Sequence, residues 1–311
     1  MSKDTNTRVL FFGTPEFALP ALDAVNKGFE IPLVITTPDR PRNRGRVTPT
    51  PVKKRAFELG LEVFDPEKIN TPDSIDRLRA TKADFAVVAA YGNLIGEEIL
   101  ALLPDKILNI HPSLLPLYRG ASPLEHAILT EDEYTGSSIM LLERGLDSGD
   151  VLIQTRVPLD GMDIEALHDK LAQIGAQDIV RALKDYEKYY AARKPQGNEY
   201  TYAKKLTRED GYVSWERSNV EIDRLVRALH VAPGVVTQLG STMYKLHAGN
   251  PVEGKGQPGE ILSAGKDGIV VACGQGAYRI TIIQKAGSRK MDVQSFLAGN
   301  QLRQGMLFQS L

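Results

Sequence analysis

Two residues apart in the stretch ILNIHPSLLPLYRG (107–120) stand an amide and an imidazole, Asn109 and His111. Alternate side chains of an extended chain share a face, so this pair points one way and Ile110 the other. An amide N–H and a titratable imidazole can together stabilise a developing oxyanion and move a proton. Further on, RGLDSGD (144–150) sets the carboxylate of Asp147 between two glycines, in a tight connection between apolar runs. There it can orient and polarise a histidine or position water. Each string also has a plain structural meaning: Gly-x-Asp-x-Gly makes ordinary turns, and Asn and His cap strand ends. A third stretch, TPDRPRNRGR (37–46), carries Arg40, Arg42, Arg44 and Arg46 with no acid after Asp39. That is a local surface for anions, phosphate above all, or else a solvated charge run.

The surrounding pattern indicates how these residues are held. Up to about position 160, short β-branched runs alternate with amphipathic stretches, which predicts an α/β domain with a doubly wound, mostly parallel sheet. Strands are expected at 9–12, 32–36, around 63, 84–89 and 107–110, and helices at 15–25, 52–59, 74–80 and 97–102. A strand pair at 135–142 and 151–157 and a long helix over 163–190 complete this part. Asn109 and His111 then fall where a strand runs out at Pro112. In open α/β sheets ligands collect in the crevice beyond the carboxyl ends of the strands. Residues 1–194 are expected to form the catalytic domain, 195–206 a connector, and 207–311 a smaller β-rich domain. In that last part a helix at 219–229 precedes strands at 243–247, 259–263, 268–273 and 277–284, punctuated by glycine, the pattern of a small barrel or sandwich.

Composition narrows the function classes. A chain of 311 residues reads as two domains, and 42% apolar with 25% charged residues excludes wholesale disorder and a coiled coil. Thirty-eight Lys and Arg against 39 Asp and Glu leave a net charge of −1, so overall basicity holds no nucleic acid. Residues 207–311 are the more basic part, with 12 cationic and 9 acidic side chains. The single cysteine, Cys273, excludes an intramolecular disulfide framework and any multi-cysteine zinc site, and points to a reducing, cytoplasmic compartment. The opening MSKDTNTRVLFFG is too short an apolar run for a secretory signal, and no stretch approaches the roughly 20 apolar residues of a membrane span. Phosphate-binding glycine motifs, His-Glu-x-x-His and Gly-x-Ser-x-Gly are all missing. The other histidines, His126, His168, His230 and His247, have no ligand spacing, so no metal is expected. Cys273 and Trp215 read as packing residues.

Taken in order along the chain, the motifs form a recognisable set. Asn-x-His-x-Ser-Leu-Leu-Pro, then Arg-Gly-x-x-Pro from Arg119, then Gly-Leu-Asp-x-Gly-Asp from Gly145 closely resembles the formyltransferases that use 10-formyltetrahydrofolate. The added Pro-Asp-Arg-Pro-x-x-Arg-Gly loop and the Tyr-Ala-x-Lys-Leu of 202–206 are similar to the members that act on initiator methionyl-tRNA. The resemblance covers essentially the whole chain. It implies a C-terminal domain like an oligonucleotide-binding fold and formyl transfer to the methionine amino group for translation initiation; a single basic face for a single tRNA is compatible with a monomer, and the chemistry needs no metal. Carried over residue by residue, it gives Asn109, His111 and Asp147 as catalytic. It assigns Ser113, Leu114, Leu115 and Pro116 to the folate and Arg44, helped by Arg40, Arg42 and Arg46, to the tRNA. Whether His111 or Asp147 takes the amine proton stays open. Tyr118 stands where many members have Trp, and His230-Val-Ala-Pro-Gly234 where many have Asn-Pro-x-Pro. A sugar-nucleotide amine formyltransferase would share the three catalytic residues but has no use for the arginine loop or the basic C-terminal part. A non-catalytic RNA-binding protein would need no oxyanion site, and a nicotinamide-linked dehydrogenase predicts a glycine fingerprint that is missing.

Overall fold

The structure, a computed structural model, describes residues 4–42 and 46–311, except for the side chains of 5, 41, 42, 46 and 47. The chain divides into two compact units, Met1–Pro123 with Tyr134–Pro158 and His168–Ala203, and Leu124–Glu133 with Leu159–Leu167 and Lys204–Leu311.

In chain order the elements run β1 (Asp4–Gly13), α1 (Leu19–Gly28), β2 (Phe29–Glu30), β3 (Val34–Ile35), β4 (Pro41–Arg42), β5 (Arg46–Val47) and α2 (Pro51–Glu58). Next come β6 (Val63–Phe64), α3 (Pro72–Ala80), β7 (Phe85–Ala89), α4 (Glu97–Leu100), β8 (Ile107–His111), β9 (Arg119–Gly120) and α5 (Pro123–Thr130). They continue with β10 (Tyr134–Leu141), β11 (Val151–Pro158), α6 (Ile164–Lys184), α7 (Tyr186–Ala191) and β12 (Tyr202–Ala203). Helices start where the sequence supplies caps. Thr50 and Thr71 accept from the backbone N–H of Lys53 and Ser74, each with proline opening the helix that follows.

The main sheet has the order β11-β10-β8-β7-β1-β3-β6, with β2 added on β1. From β8 to β6 it is parallel, while β10 runs antiparallel to both β8 and β11. Strand alternation sorts the core: Leu10, Phe12, Ile35 and Val88 join Ile75 and Leu78 of α3 on one side. On another face Ile110 meets Gly175 of α6, where an added Cβ would lie 2.5 Å from Ile110 Cγ2. Helix cover of this kind is why strands such as β8 are buried along their whole length. Two expectations shift in detail. The helix read over 163–190 is two, α6 and α7, interrupted at Asp185, whose backbone leaves the helical region. Beyond the break, Tyr186 packs its ring edge-on against Phe85 and donates to the Asp105 carbonyl. Residues 195–206 include β12, which pairs in parallel with β9.

The second unit adds α8 (Asn219–Leu229), started by a capping box of Ser218 and Glu221. Its strands are β13 (Val235–Leu239), β14 (Thr242–Val252), β15 (Ile261–Gly265), β16 (Gly268–Ala272), β17 (Ala277–Lys285) and β18 (Met291–Asp292), followed by α9 (Val293–Gly299). They form one antiparallel sheet, β13-β14-β17-β16-β15, with β18 on β17. The last residues of the chain bridge both of its edges: Gln309 pairs with Gln238 of β13, and Leu307 with Glu260 beside β15. This tail draws the sheet round on itself, giving the barrel-like unit that the spacing predicted. Trp215 is fully buried, donates from Nε1 to Thr237 Oγ1 at 2.9 Å and stacks on Phe308. Cys273 is buried, and burial pushes its thiol up to about 12, so it is inert packing. No helix among the described residues is long and apolar enough to cross a membrane.

Candidate active site

Asn109 and His111 occupy the carboxyl end of β8, a strand flanked on both sides. Asn109 pairs with Val88 of β7 and Met140 of β10, and His111 with Ser138. Central placement fixes their backbone, and the two residues are 8% and 4% exposed. No hydrogen bond to the Asn109 side chain occurs among the described residues, and its amide is not among the polar atoms sealed from solvent without a partner, so it can donate to a group that enters the crevice.

His111 is hydrogen-bonded at one ring nitrogen and faces a carboxylate with the other. Its Nε2 lies 2.9 Å from the Tyr118 carbonyl, which can only accept, so Nε2 carries a proton. Nδ1 then faces Asp147, 3.6 Å from Oδ2. Burial pushes the imidazole pKa down, opposed by the Asp147 charge and the Tyr118 carbonyl. Burial thus favours the neutral ring, in which Nδ1 is open to receive a proton beside a carboxylate. Since Nε2–H is committed to Tyr118, His111 can donate to an oxyanion only from a protonated Nδ1.

Asp147 reaches this position because the chain between β10 and β11 folds back tightly. Its backbone is left-handed, with φ 47°, and its Oδ2 accepts from the Gly120 N–H at 2.9 Å. Gly149 makes the fold-back possible, because a Cβ there would lie 2.0 Å from the Leu141 carbonyl oxygen. Gly149→Ala is expected to lower stability by about 1–3 kcal/mol and to displace Asp147. Urea unfolding together with kcat would detect both effects, and an unchanged midpoint would show that the turn has slack.

The Ser113–Pro116 segment folds back over Ser138, the neighbour of His111. Ser138 Oγ donates to the Ser113 carbonyl at 2.6 Å and accepts from Leu115 N–H at 3.2 Å, while Gln154 Nε2 donates to the Leu115 carbonyl at 2.6 Å. Ser113 is fully buried and spends its hydroxyl on the Leu117 carbonyl, so it shapes the loop from within. Leu115 and Pro116 line a cavity of about 330 Å³ with Val151, Gln154, Lys194 and Gln196. Leu114 packs near Gly136, where a Cβ would lie 2.5 Å from Leu114 Cδ2. Sequence reading missed Ser138, Gln154 and Gln196. Their partners are backbone atoms distant in sequence, and no motif marks that.

The arginine loop is only partly described. Arg40 is exposed, Arg42 and Arg46 pair in the β4–β5 hairpin, and Arg44 lies outside the described residues. Its base is tied on both sides: Asp39 accepts from Thr50 N–H at 3.1 Å and from Lys53 Nζ at 2.7 Å, and Lys53 also reaches Asp65 at 2.7 Å. Those two carboxylates, Asp39 first, raise the Lys53 pKa and keep it charged. In the second unit the fold gathers Asp163, Glu165 and His230, with ligand atoms within 4.8 Å of one another. Each already has a role there, since Asp163 caps α6 through Ala166 N–H and Glu165 lies 3.1 Å from His230 Nε2.

Comparison with known proteins gives this geometry a family. The formyl transferase profile matches residues 6–183. The chain belongs to the formyl transferase family. The family's C-terminal domain matches residues 205–301. This formyl transferase is 41% identical over 305 residues to methionyl-tRNA formyltransferase of Dechloromonas aromatica, covering 97% of this chain and 98% of the relative. It is 39% identical over 307 residues to the methionyl-tRNA formyltransferase of Trichlorobacter lovleyi, covering 97% of each. Its fold is similar to that of HypX from Aquifex aeolicus, solved in complex with tetrahydrofolic acid, with a TM-score of 0.65 at 20% identity. That match covers 95% of this chain and 47% of HypX, so the chain spans about half of that structure's length.

Proposed function

We propose that the chain transfers the formyl group of 10-formyltetrahydrofolate to the methionine amino group of initiator methionyl-tRNA, the step that prepares the tRNA for translation initiation. The observation that carries this reading is the placement of Asn109 and His111 at one strand end, with His111 facing Asp147, in a chain that matches methionyl-tRNA formyltransferases over nearly its whole length. Residues 1–194 act as the catalytic domain, 195–206 as the connector and 207–311 as a tRNA-binding domain. The protein works as a cytoplasmic monomer, and the chemistry needs no metal.

The neutral methionine amine attacks the formyl carbon, and the carbonyl electron pair moves onto oxygen. Asn109 donates to that oxygen as its charge grows. The amine nitrogen gives up a proton to His111 Nδ1, and the Asp147 carboxylate stabilises the imidazolium that results. When the tetrahedral intermediate collapses, the bond from carbon to N10 breaks and N10 takes up the proton from His111. The products are a formylated amine and tetrahydrofolate, with atoms and charge balanced. Leu115 and Pro116 wall the folate site, Leu114 packs beside them, and Ser113 fixes the shape of that segment.

Arg40, Arg42, Arg44 and Arg46 meet phosphates of the acceptor arm, on a loop whose base Asp39 and Lys53 secure. Arg44→Ala is expected to raise KM for the tRNA and to flatten the dependence of log(kcat/KM) on log salt by about one phosphate contact, with folate affinity unchanged. An unchanged salt slope would leave the basic C-terminal domain as the main anchor. The test of the whole reading is formylation of charged initiator tRNA by the purified chain with 10-formyltetrahydrofolate. Formylation of a nucleotide-linked amino sugar in place of the tRNA would overturn it.

A further inference from the structure

Beside Asp147 lies a side chain with no counterpart in the motifs. Gln196 sits between β11 and β12 in sequence, far from the Asp147 turn, and spends both ends of its amide there. Nε2 donates to the Asp147 carbonyl at 2.9 Å and to the Gly149 carbonyl at 2.7 Å. Oε1 accepts from Arg119 Nε at 2.9 Å. Arg119 is itself fixed: it is 7% exposed, its guanidinium carbon lies 4.4 Å from the Tyr200 ring centroid, and its backbone pairs with Tyr202. The next residue, Gly120, donates to the Asp147 carboxylate. One short strand pair therefore grips Asp147 twice, through the Gly120 N–H on its side chain and through Arg119 and Gln196 on its backbone.

We propose that Gln196 is a positioning residue for the reaction, which holds the left-handed turn at Asp147 so that its carboxylate stays beside His111. The proposal rests on the catalytic reading of Asp147. A left-handed backbone at a residue other than glycine costs on the order of 1 kcal/mol, and it persists only where neighbouring contacts hold it. Here two carbonyls, at 147 and 149, receive both N–H groups of a single amide, which fixes the turn at both ends. Glutamine is the side chain this junction requires. Glutamate would keep the acceptor for Arg119 but lose both donors and bring an anion against two carbonyl oxygens. Methionine would fill the space with no polar atom to offer. Because an error of about 1 Å in a reacting group can cost 10²-fold in rate, freeing the turn acts on turnover rather than on substrate binding.

The experiment compares Gln196→Glu and Gln196→Met with the parent enzyme, alone and combined with Asp147→Asn. Each single change is expected to lower kcat about 10–100-fold, with KM for tRNA and folate within about threefold. In Gln196→Met the acid limb of the kcat profile should move to lower pH, because His111 loses part of the Asp147 charge that opposes its burial, whereas Gln196→Glu adds a negative charge of its own and is read for kcat and KM alone. In the Asp147→Asn background Gln196→Met should add almost nothing, since both changes act through one carboxylate. Losses that multiply in the double variant, or a raised KM with normal kcat, would overturn the proposal, the latter by making Gln196 a substrate contact in the cavity it lines. Should Gln196→Met fail to fold, Arg119→Lys removes the Nε donor to Gln196 and is held to the same outcomes. If Asp147→Asn alone left kcat intact, the catalytic reading of Asp147 would fail; an inactive Asp147→Asn beside fully active Gln196 variants would reject the positioning role only.

Discussion

Asn109→Ala is expected to lower kcat about 10²–10³-fold, equivalent to about 2.7–4 kcal/mol of lost transition-state stabilisation, while tetrahydrofolate affinity stays within about twofold. The size follows from placement. Asn109 sits in the middle of a sheet, paired with Val88 and Met140, so its backbone is fixed and its amide is carried at a set point of the crevice before charge develops. It is 8% exposed, and a donor in so dry a position is worth far more to an oxyanion than in water. A formamide oxygen in the ground state is only partly negative, whereas in the tetrahedral intermediate it carries a full charge, so the contact is made mostly in the transition state. Asn109→Asp keeps the shape but replaces the donor by an anion, and should reduce turnover at least as far. Single-turnover formylation at saturating tRNA measures this directly. A kcat within threefold of the parent would remove Asn109 from the oxyanion site.

Much of the site was legible from spacing because it lies on one strand. Period-two alternation places Asn109 and His111 on one face wherever β8 is extended, and Ile107 and Ile110 with Leu108 favour that extension. Asp147 was legible as a turn residue, since two glycines bracket it, while its pairing with His111 was legible only through the family resemblance. That His111 faces it across 3.6 Å depends on β10 lying beside β8, a long-range pairing that no local pattern encodes. The same limit hid Gln196 and Ser138, whose work is done on backbone atoms of other segments. Strand ends were misjudged where length is set by a neighbour. β14 runs on to Val252 because β17 pairs with it from Tyr244 to that end, although its own alternation fades after His247. β13 was missed because its short apolar run follows Pro233-Gly234, which reads as a loop in sequence. The closing of the barrel by residues 305–309 rests on backbone bonds to two strands far apart in the chain.

His111 and Asp147 are expected to behave as one catalytic unit. Single changes, His111→Ala and Asp147→Ala, should each lower kcat by about 10²–10⁴-fold, and the double variant should be little worse than the poorer single one. The reason is geometric. With Nε2–H spent on the Tyr118 carbonyl, the only nitrogen that can take the amine proton is Nδ1, and it faces Asp147. Without the carboxylate, the buried imidazolium has lost the charge that offsets its desolvation; without the imidazole, the carboxylate has no base to support. Asp147→Asn isolates the electrostatic part, because an amide oxygen can still accept from the Gly120 N–H and asparagine tolerates a left-handed backbone. Burial lowers the His111 pKa and Asp147 raises it, so removing the charge lowers it further. The base then stays unprotonated to more acidic pH, and the acid limb of the kcat profile moves down the pH scale as the plateau falls. A limb that moved up, or single losses that multiplied in the double variant, would show that the two residues act independently and that another group accepts the proton.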